Sequence, residues 1–385
     1  MNRKLRMGMI GGGKGAFIGG IHRIAANMDG LIELVCGALS SSPEKALESG
    51  RSLFLPEDRI YPNFEEMILK ESLLPADKRM DFVSIVTPNH AHFAPAMMAL
   101  EHGFHVVIDK PITFTLDEAK QLKKKVEDTG LSLLLTHTYA GYPMVKQAKQ
   151  MIREGAMGKI RKVIVEYPQG WLSRLSEKDG NPQAEWRTDP ARSGKSGCMG
   201  DIGTHAAHLA EYISGLKITK LCADLNIMVE GRALDDDGNV LLKFDNEANG
   251  VLIASQVAAG EENALKIRIY GEKGGLEWAQ QEPNTLILKW LDEPVQILRT
   301  GGHNLSNFAA FNSRTPGGHP EGYLEAFGNL YRNFALCLSA RTDGTVPAPE
   351  ALDFPSVNEG VRGMAFIDNV VKSSLSNDKW TNFEV

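Results

Sequence analysis

Cysteine is scarce in this chain, and its four copies are scattered. They stand at Cys36, Cys198, Cys222 and Cys337 among 385 residues. No two form a C-x-x-C pair, which argues against a zinc site or a disulfide scaffold and fits a reducing compartment. No metal is expected. Long apolar runs are missing too: none reaches the ~18 residues of a membrane span, so no membrane partner is expected. Charge of one sign is not concentrated. The net charge is −6, with Lys and Arg dispersed, so no nucleic-acid surface is expected. Met1-Asn-Arg-Lys-Leu-Arg6 runs straight into a strand-like segment, so no secretory leader is expected. The expected location is the cytoplasm. No internal repeat or low-complexity tract is evident.

What remains is ordinary globular material. Hydrophobic residues make up 43% and charged residues 23%, and the length suggests two domains. The break is expected near residue 140, giving domains 1–140 and 141–385.

The first domain reads as strands alternating with helices. Leu5–Ile10 reads as a buried strand, followed by Gly11-Gly-Gly-Lys-Gly-Ala16 and a helix over Phe17–Asn27. Read from Gly11, this is G-x-G-x-x-A, a dinucleotide fingerprint in its proper strand–turn–helix context. Gly11 makes the turn and Gly13 lets backbone approach a pyrophosphate. Lys14, Gly15 and Ala16 complete the loop, and the helix N-terminus meets the phosphate charge. After the second strand, Ile32–Leu39, an NAD site usually has an acid for the ribose hydroxyl. Here Ser40, Ser41 and Ser42 stand instead, followed by Pro43. Their hydroxyls suit either cofactor; NAD is the expected one, with NADP left open.

A helix over Asn63–Leu74, a strand over Phe82–Val86, a helix over His92–His102 and a strand over His105–Asp109 follow. This alternation implies a parallel, doubly wound sheet, whose ligands bind beyond the carboxyl ends of the strands. Two loops therefore matter. One is Thr87-Pro88-Asn89-His90-Ala-His92, with Thr87, Pro88, Asn89 and His92 as cofactor contacts. The other is Asp109-Lys110-Pro111. A lysine there can donate to a substrate oxygen and lower the proton affinity of its hydroxyl.

Leu131–Thr136 continues the strands, and Tyr139 and Tyr142 follow as candidate substrate contacts and reserve proton donors. A helix to about Arg153 and a strand over Ile160–Tyr167 come next. Pro168–Lys195 is a long loop, and a loop this long is usually functional. It carries Gln169, Trp171, Trp186 and Arg187, the apolar faces and hydrogen-bond donors that a sugar needs. The same tryptophans could equally anchor the loop to the core.

Gly197-Cys-Met-Gly-Asp-Ile-Gly-Thr-His-Ala-Ala-His208 reads as a helix start. It sets Asp201 and His205 four residues apart, on one helix face. A carboxylate beside an imidazole is an acid–base arrangement. From Ile218 to Trp290 strands and turns alternate as an antiparallel meander, with turns expected at Asp237-Gly238, Asn249-Gly250 and Lys273-Gly-Gly275. Asp235-Asp-Asp237-Gly-Asn239 lacks the terminal glutamate of a calcium loop and reads as a solvated hairpin turn. Thr300–Gly322 is a second long loop, and helices are expected over Tyr323–Ser339 and Ser356–Leu375.

Taken together, the glycine fingerprint, Thr87-Pro-Asn-His-Ala-His92, Asp109-Lys-Pro111 and Gly200-Asp-Ile-Gly-Thr-His205 resemble the Gfo/Idh/MocA oxidoreductases, the family of glucose–fructose oxidoreductase and inositol dehydrogenase. The match runs along nearly the whole chain in the same order. The resemblance implies an α/β protein: an N-terminal Rossmann domain with a doubly wound parallel sheet, then a C-terminal α/β domain with a large, mostly antiparallel open sheet. It implies NAD(P)-dependent hydride transfer to or from a secondary hydroxyl of a sugar, sugar derivative or cyclic polyol. The family's Glu-Lys-Pro lysine falls on Lys110, with Asp109 where glutamate is usual. Its aspartate and histidine fall on Asp201 and His205, with His205 as the general base. Partners implied are the small-molecule substrate and further copies of the chain, as a homodimer or homotetramer. Two other functions fit the fold: an NAD-dependent glycoside hydrolase working by transient oxidation, and a nucleotide-binding sensor. Retention of Lys110, Asp201 and His205 together argues against the sensor.

Overall fold

The computed structural model of the chain describes residues 3–385. The chain divides into two compact units, Met1–Thr138 with Tyr323–Val361, and Tyr139–Gly322 with Arg362–Val385.

In the first unit β1 (Leu5–Gly11), β2 (Ile32–Ala38), β3 (Phe82–Val86), β4 (His105–Ile108) and β5 (Leu133–Leu135) form a parallel sheet in the order β2-β1-β3-β4-β5. All five residues of β3 are buried, the mark of a parallel strand covered on both faces. Helices α1 (Phe17–Asn27), α2 (Pro43–Ser52), α3 (Phe64–Leu73), α4 (Phe93–Glu101) and α5 (Leu116–Thr129) connect the strands. Local chemistry sets their ends. Asn63 caps α3 by accepting from the Glu66 N–H at 2.8 Å. Thr115 and Glu118 form a reciprocal capping box on α5, which Gly130 ends in the left-handed region. Helix α2, which the sequence reading did not place, begins at Pro43. Ser42 accepts from the Lys45 N–H, and proline occupies the first turn, a helix start that needs no apolar periodicity. Strand order reverses between β1 and β3, whose ends Gly11 and Val86 lie in register. The crevice beyond such a reversal is the ligand position of an open α/β sheet.

In the second unit α6 (Pro143–Arg153), α7 (Pro182–Arg187), α8 (Pro190–Ser193) and α9 (Thr204–Ser214) accompany a nine-stranded sheet. Its strands are β6 (Lys162–Pro168), β7 (Ile218–Asn226), β8 (Asp237–Phe244), β9 (Asn249–Ser255), β10 (Lys266–Tyr270), β11 (Gly274–Ala279), β12 (Thr285–Trp290), β13 (Gln296–Arg299) and β14 (Thr381–Asn382). Their order is β13-β12-β11-β10-β6-β9-β8-β7-β14. β6 and β9 run parallel and the other neighbours antiparallel. Alternation is plain in β6, where Val163, Val165 and Tyr167 are buried; α6 and α9 cover that face. On the other face Leu241, Val251 and Ile164 stand in register, and Leu241 is half exposed.

Three expectations need correction. Asp237-Gly238 and Asn249-Gly250 are not turns but the first residues of β8 and β9. The aspartate run is not a solvated hairpin: Asp236 is buried and accepts from the backbone of Met228 and Val229 and from Arg232. Pro168–Lys195 is not wholly loop, because α7 and α8 lie in it, each opened by Pro behind an Asn or Asp cap.

After α10 (Asn307–Phe311), α11 (Tyr323–Thr342) belongs to the first unit. Its Phe327, Leu330, Tyr331, Phe334 and Leu338 join Leu5, Met7, Met9 and Phe82 in one core cluster. Burial of such side chains stabilises by ~1.5–3 kcal/mol each before entropy is charged. The last helix, α12, covers Val357–Ser374.

Candidate functional site

In the first unit the glycine loop is shaped by close backbone approach. A Cβ on Gly13 would stand 2.5 Å from the Leu39 carbonyl oxygen and 2.8 Å from Ser49 Oγ. A Cβ on Gly19 would stand 2.3 Å from Gly12 Cα. Gly19, outside the fingerprint as read, thus brings α1 against the loop. Ala16 precedes α1 without a side-chain cap, which leaves the first-turn N–H groups to an anion. This cradle fits a dinucleotide pyrophosphate. Gly11 takes a positive φ of 79° and Gly15 one of 86°.

Lys14 turns to α2: its backbone N–H donates to Ser49 Oγ at 3.0 Å and its Nζ pairs with Glu48. Among the serines, Ser40 accepts from the Ser42 N–H, Ser42 caps α2, and Ser41 is exposed. Thr87 Oγ1 donates to the Ala91 carbonyl, Pro88 caps the turn that follows, and Asn89 is buried. His92 is 1% exposed. Its Nδ1 lies 2.8 Å from the Pro111 carbonyl oxygen and its Nε2 2.8 Å from that of Thr87. Each nitrogen faces a backbone carbonyl and the one that carries the proton donates to it, so His92 packs internally between the two strand-end loops. Burial lowers its pKa.

Asp109 ends β4. Its Oδ1 accepts from the Lys110 N–H and from Thr136 Oγ1, both at 2.9 Å. Lys110 is half-buried, and its bond to Pro111 is cis.

In the second unit the helix start is a wider turn than the sequence suggests. Met199–Gly203 is π-helical, and the Thr204 N–H donates five residues back to the Met199 carbonyl. Asp201 sits in this turn and His205 in the first turn of α9, so the simple i, i+4 face does not apply. Asp235 holds the turn: its carboxylate accepts from the Gly197 and Met199 N–H groups, each at 2.9 Å.

Asp201 is clamped. Its Oδ2 accepts from Gln256 Nε2 at 2.9 Å and from Arg187 Nε at 3.2 Å. The Arg187 guanidinium lies 4.2 Å from the Trp186 ring centre and 5.8 Å from that of Trp171, a cation–π arrangement. The loop therefore delivers Arg187, backed by Trp186, to Asp201.

His205 is 9% exposed and meets the edge of Tyr139 at 4.9 Å between ring centres. Tyr139 Oη is hydrogen-bonded to Tyr167 Oη and accepts from Asn263 Nδ2. Asn263 Oδ1 accepts from Gln169 Nε2 at 2.6 Å, and Gln169 Oε1 accepts from Trp171 Nε1 at 3.0 Å. Burial raises the pKa of Tyr139, so its phenol keeps its proton. Tyr142 stacks on Tyr139 and tilts over Trp278 within the core, a packing position.

Gln256, Asn263, Tyr167 and Asp235 were not legible as site residues. Gln256 follows β9, Tyr167 lies next to the end of β6, and Asp235 and Asn263 stand shortly before β8 and β10. The strand end before Gln256 was the one usable signal. Among the described residues no group of three His, Cys, Asp or Glu side chains could hold a metal ion, and no helix is long and apolar enough to cross a membrane.

Comparison with known proteins follows both units. Residues 5–137 match the oxidoreductase family model with an NAD-binding Rossmann fold, and residues 145–277 match the GFO/IDH/MocA C-terminal domain. A solved oxidoreductase from Sinorhizobium meliloti is 45% identical, with a TM-score of 0.89 over 99% of this chain and 100% of that one. An inositol dehydrogenase homolog from Azotobacter vinelandii, solved with NADH and myo-inositol, is 34% identical, with a TM-score of 0.90 over 100% and 98%. Levoglucosan dehydrogenase of Pseudarthrobacter phenanthrenivorans is 28% identical over 99% of this chain and 98% of its own length.

Proposed function

Because the chain belongs to the Gfo/Idh/MocA oxidoreductase family, with its NAD-binding Rossmann domain, we propose that it is a dehydrogenase of a sugar, sugar derivative or cyclic polyol. Glycine-loop backbone, with Thr87, Asn89 and Asp109, holds the cofactor. NAD, when bound, supplies the hydride acceptor for a secondary carbinol carbon.

The chain's own groups manage the proton. His205 takes it from the substrate hydroxyl as the carbon–oxygen double bond forms. Lys110 donates a hydrogen bond to that oxygen and stabilises its developing negative charge. Asp201 orients the substrate by accepting from one of its hydroxyls. Trp186 offers an apolar face to the C–H side of a ring, and Arg187 and Gln169 offer donors to its hydroxyls.

The observation that carries this reading is the Asp201 carboxylate, held by Gln256 and Arg187 in the turn that leads into His205. A helix cap needs no such clamp, whereas a group that must keep its orientation through a reaction does. The molecules bound in the solved relatives, myo-inositol and levoglucosan, set the chemical class to try first. The reading includes self-association through the uncovered face bearing Leu241, Val251 and Ile164.

The test is absorbance at 340 nm with NAD or NADP and a panel of inositols, anhydrosugars, free sugars and glycosides. Steady formation of reduced cofactor supports the reading and names the substrate. Glycoside cleavage without net reduction replaces it with the redox-assisted hydrolase. Cofactor binding with neither activity leaves the sensor.

A further inference from the structure

We infer that His22 is a positioning residue whose Nε2–H faces the Asp109 carboxylate and steers the Asp109-Lys110 turn. This rests on the role proposed for Lys110.

His22 lies on α1 and is fully buried. A structural histidine in such a place usually has both nitrogens engaged. This one does not. Nδ1 lies 2.7 Å from Tyr331 Oη, and Tyr331 Oη lies 2.8 Å from Ser84 Oγ. Nε2 has no hydrogen-bond partner and stands 3.9 Å from Asp109 Oδ2. The ring is fixed edge-on against Phe327, with centres 4.7 Å apart, and against Tyr331.

The direction of the protons follows. Were Nδ1 protonated, Nε2 would turn a lone pair toward a carboxylate oxygen 3.9 Å away, which is unfavourable. With Nε2 protonated, Ser84 donates to Tyr331, Tyr331 donates to Nδ1, and Nε2–H points at Asp109 Oδ2. Nδ1 and Tyr331 then each have a hydrogen-bond partner, and Nε2–H faces a charge of the right sign. Burial holds the Tyr331 phenol protonated and keeps His22 neutral, with its pKa lowered to about 4. The ring is therefore a donor of fixed sense rather than a proton carrier.

Asp109 is divided between two tasks. Oδ1 is pinned by the Lys110 N–H and Thr136 Oγ1, while Oδ2 faces His22. A swing of the carboxylate of about 1 Å would close a hydrogen bond to Nε2, and Oδ1 would carry the Lys110 backbone with it. His22 thereby defines one end of that swing. Sub-ångström placement of a catalytic ammonium is worth about ten- to a hundredfold in turnover.

Two measurements test this. Protein carrying ¹⁵N-histidine is examined by NMR near neutral pH, with the His22 signals assigned by their loss in His22→Phe. The expected result is the neutral Nε2–H tautomer, with its shifts moved by Asp109→Asn. An Nδ1–H tautomer, or signals indifferent to Asp109→Asn, overturns the inference, and this holds whatever the enzyme turns over. The second measurement is kinetic, with NAD and myo-inositol as the probe. His22→Phe should lower kcat about ten- to a hundredfold, and His22→Gln, which restores a donor, should recover most of it. Equal loss in both variants, each folded by circular dichroism, also overturns it. A wild-type enzyme inert to the whole substrate panel would sink the dehydrogenase reading instead, and leave the tautomer to decide His22.

Discussion

Gln256 donates its side-chain amide to Asp201 Oδ2 at 2.9 Å. The donor lies one residue beyond β9, and the acceptor lies in the π-helical turn before α9. A neutral amide and the Arg187 guanidinium share one oxygen, which fixes the plane of the carboxylate. Hydrogen bonds to charged groups are worth ~1.5–3 kcal/mol. Gln256→Leu should therefore lower kcat/KM by about ten- to a hundredfold with little change in NADH affinity. Steady-state kinetics and a fluorescence titration check it, and unchanged kinetics would remove the clamp from the argument.

His205 supplies the proton chemistry in the proposed reaction. Its near-complete burial beside Tyr139 leaves a small, defined face for a hydroxyl. His205→Ala should cost about 10²–10⁴-fold in kcat, as for a lost general base. NADH binding should persist. Near-normal turnover would move the base to another group, with the protonated Tyr139 phenol a poor successor.

Trp186 answers to a different measurement. Its ring supports the Arg187 guanidinium at 4.2 Å, and Arg187 in turn reaches Asp201. Trp186→Ala should raise KM for the sugar more than it lowers kcat, because stacking serves ground state and transition state alike. A fall confined to kcat would instead make the ring a support for Asp201 geometry.

The Rossmann half of the fold was legible because its signals are local. Strand β3 is an unbroken apolar run, and α1 follows the glycines over the expected Phe17–Asn27. Lys110, Asp201 and His205 were singled out by motif resemblance. The partners that hold them were not. Gln256, which holds Asp201, and Asp235, which holds the turn around it, come from segments beside β9 and β8 far along the chain, and only folding brings them near. The π-helical turn at Met199–Gly203 left no mark, since its sequence suits an α-helix start equally well. The assignment of α11 to the first unit was hidden for the same reason. Its apolar residues say that it packs, not on what.

The loop–helix contact at Gly12 and Gly19 makes a stability prediction. A methyl group at residue 19 would stand 2.3 Å from Gly12 Cα, 2.5 Å from its carbonyl oxygen and 2.8 Å from its carbonyl carbon. All three are backbone atoms, which cannot rotate away. Gly19→Ala should destabilise by at least ~1–3 kcal/mol, the usual cost of overpacking, and weaken NADH binding by pushing α1 from the loop. A variant with wild-type urea midpoint and wild-type affinity would contradict the contact.

Stability should also fall in mild acid, for a reason the structure locates. Burial lowers the pKa of His22 and of His105 to about 4, from an ordinary value of 6.5. His105 Nδ1 accepts from the Ser132 N–H at 2.9 Å, so a proton there would destroy a backbone hydrogen bond. Between these two pKa values the unfolded chain binds protons that the folded chain refuses. Acid therefore pulls toward unfolding: the contribution of each histidine is fully present above about pH 6.5 and is lost as pH falls toward 4. By about pH 5 the loss should be roughly 2 kcal/mol per histidine. His105→Asn offers an amide oxygen in place of Nδ1 and has nothing to titrate. Urea unfolding at about pH 7.5 and about pH 5 should show the variant losing roughly 2 kcal/mol less than wild type. Equal losses in the two proteins would place the acid sensitivity elsewhere than His105.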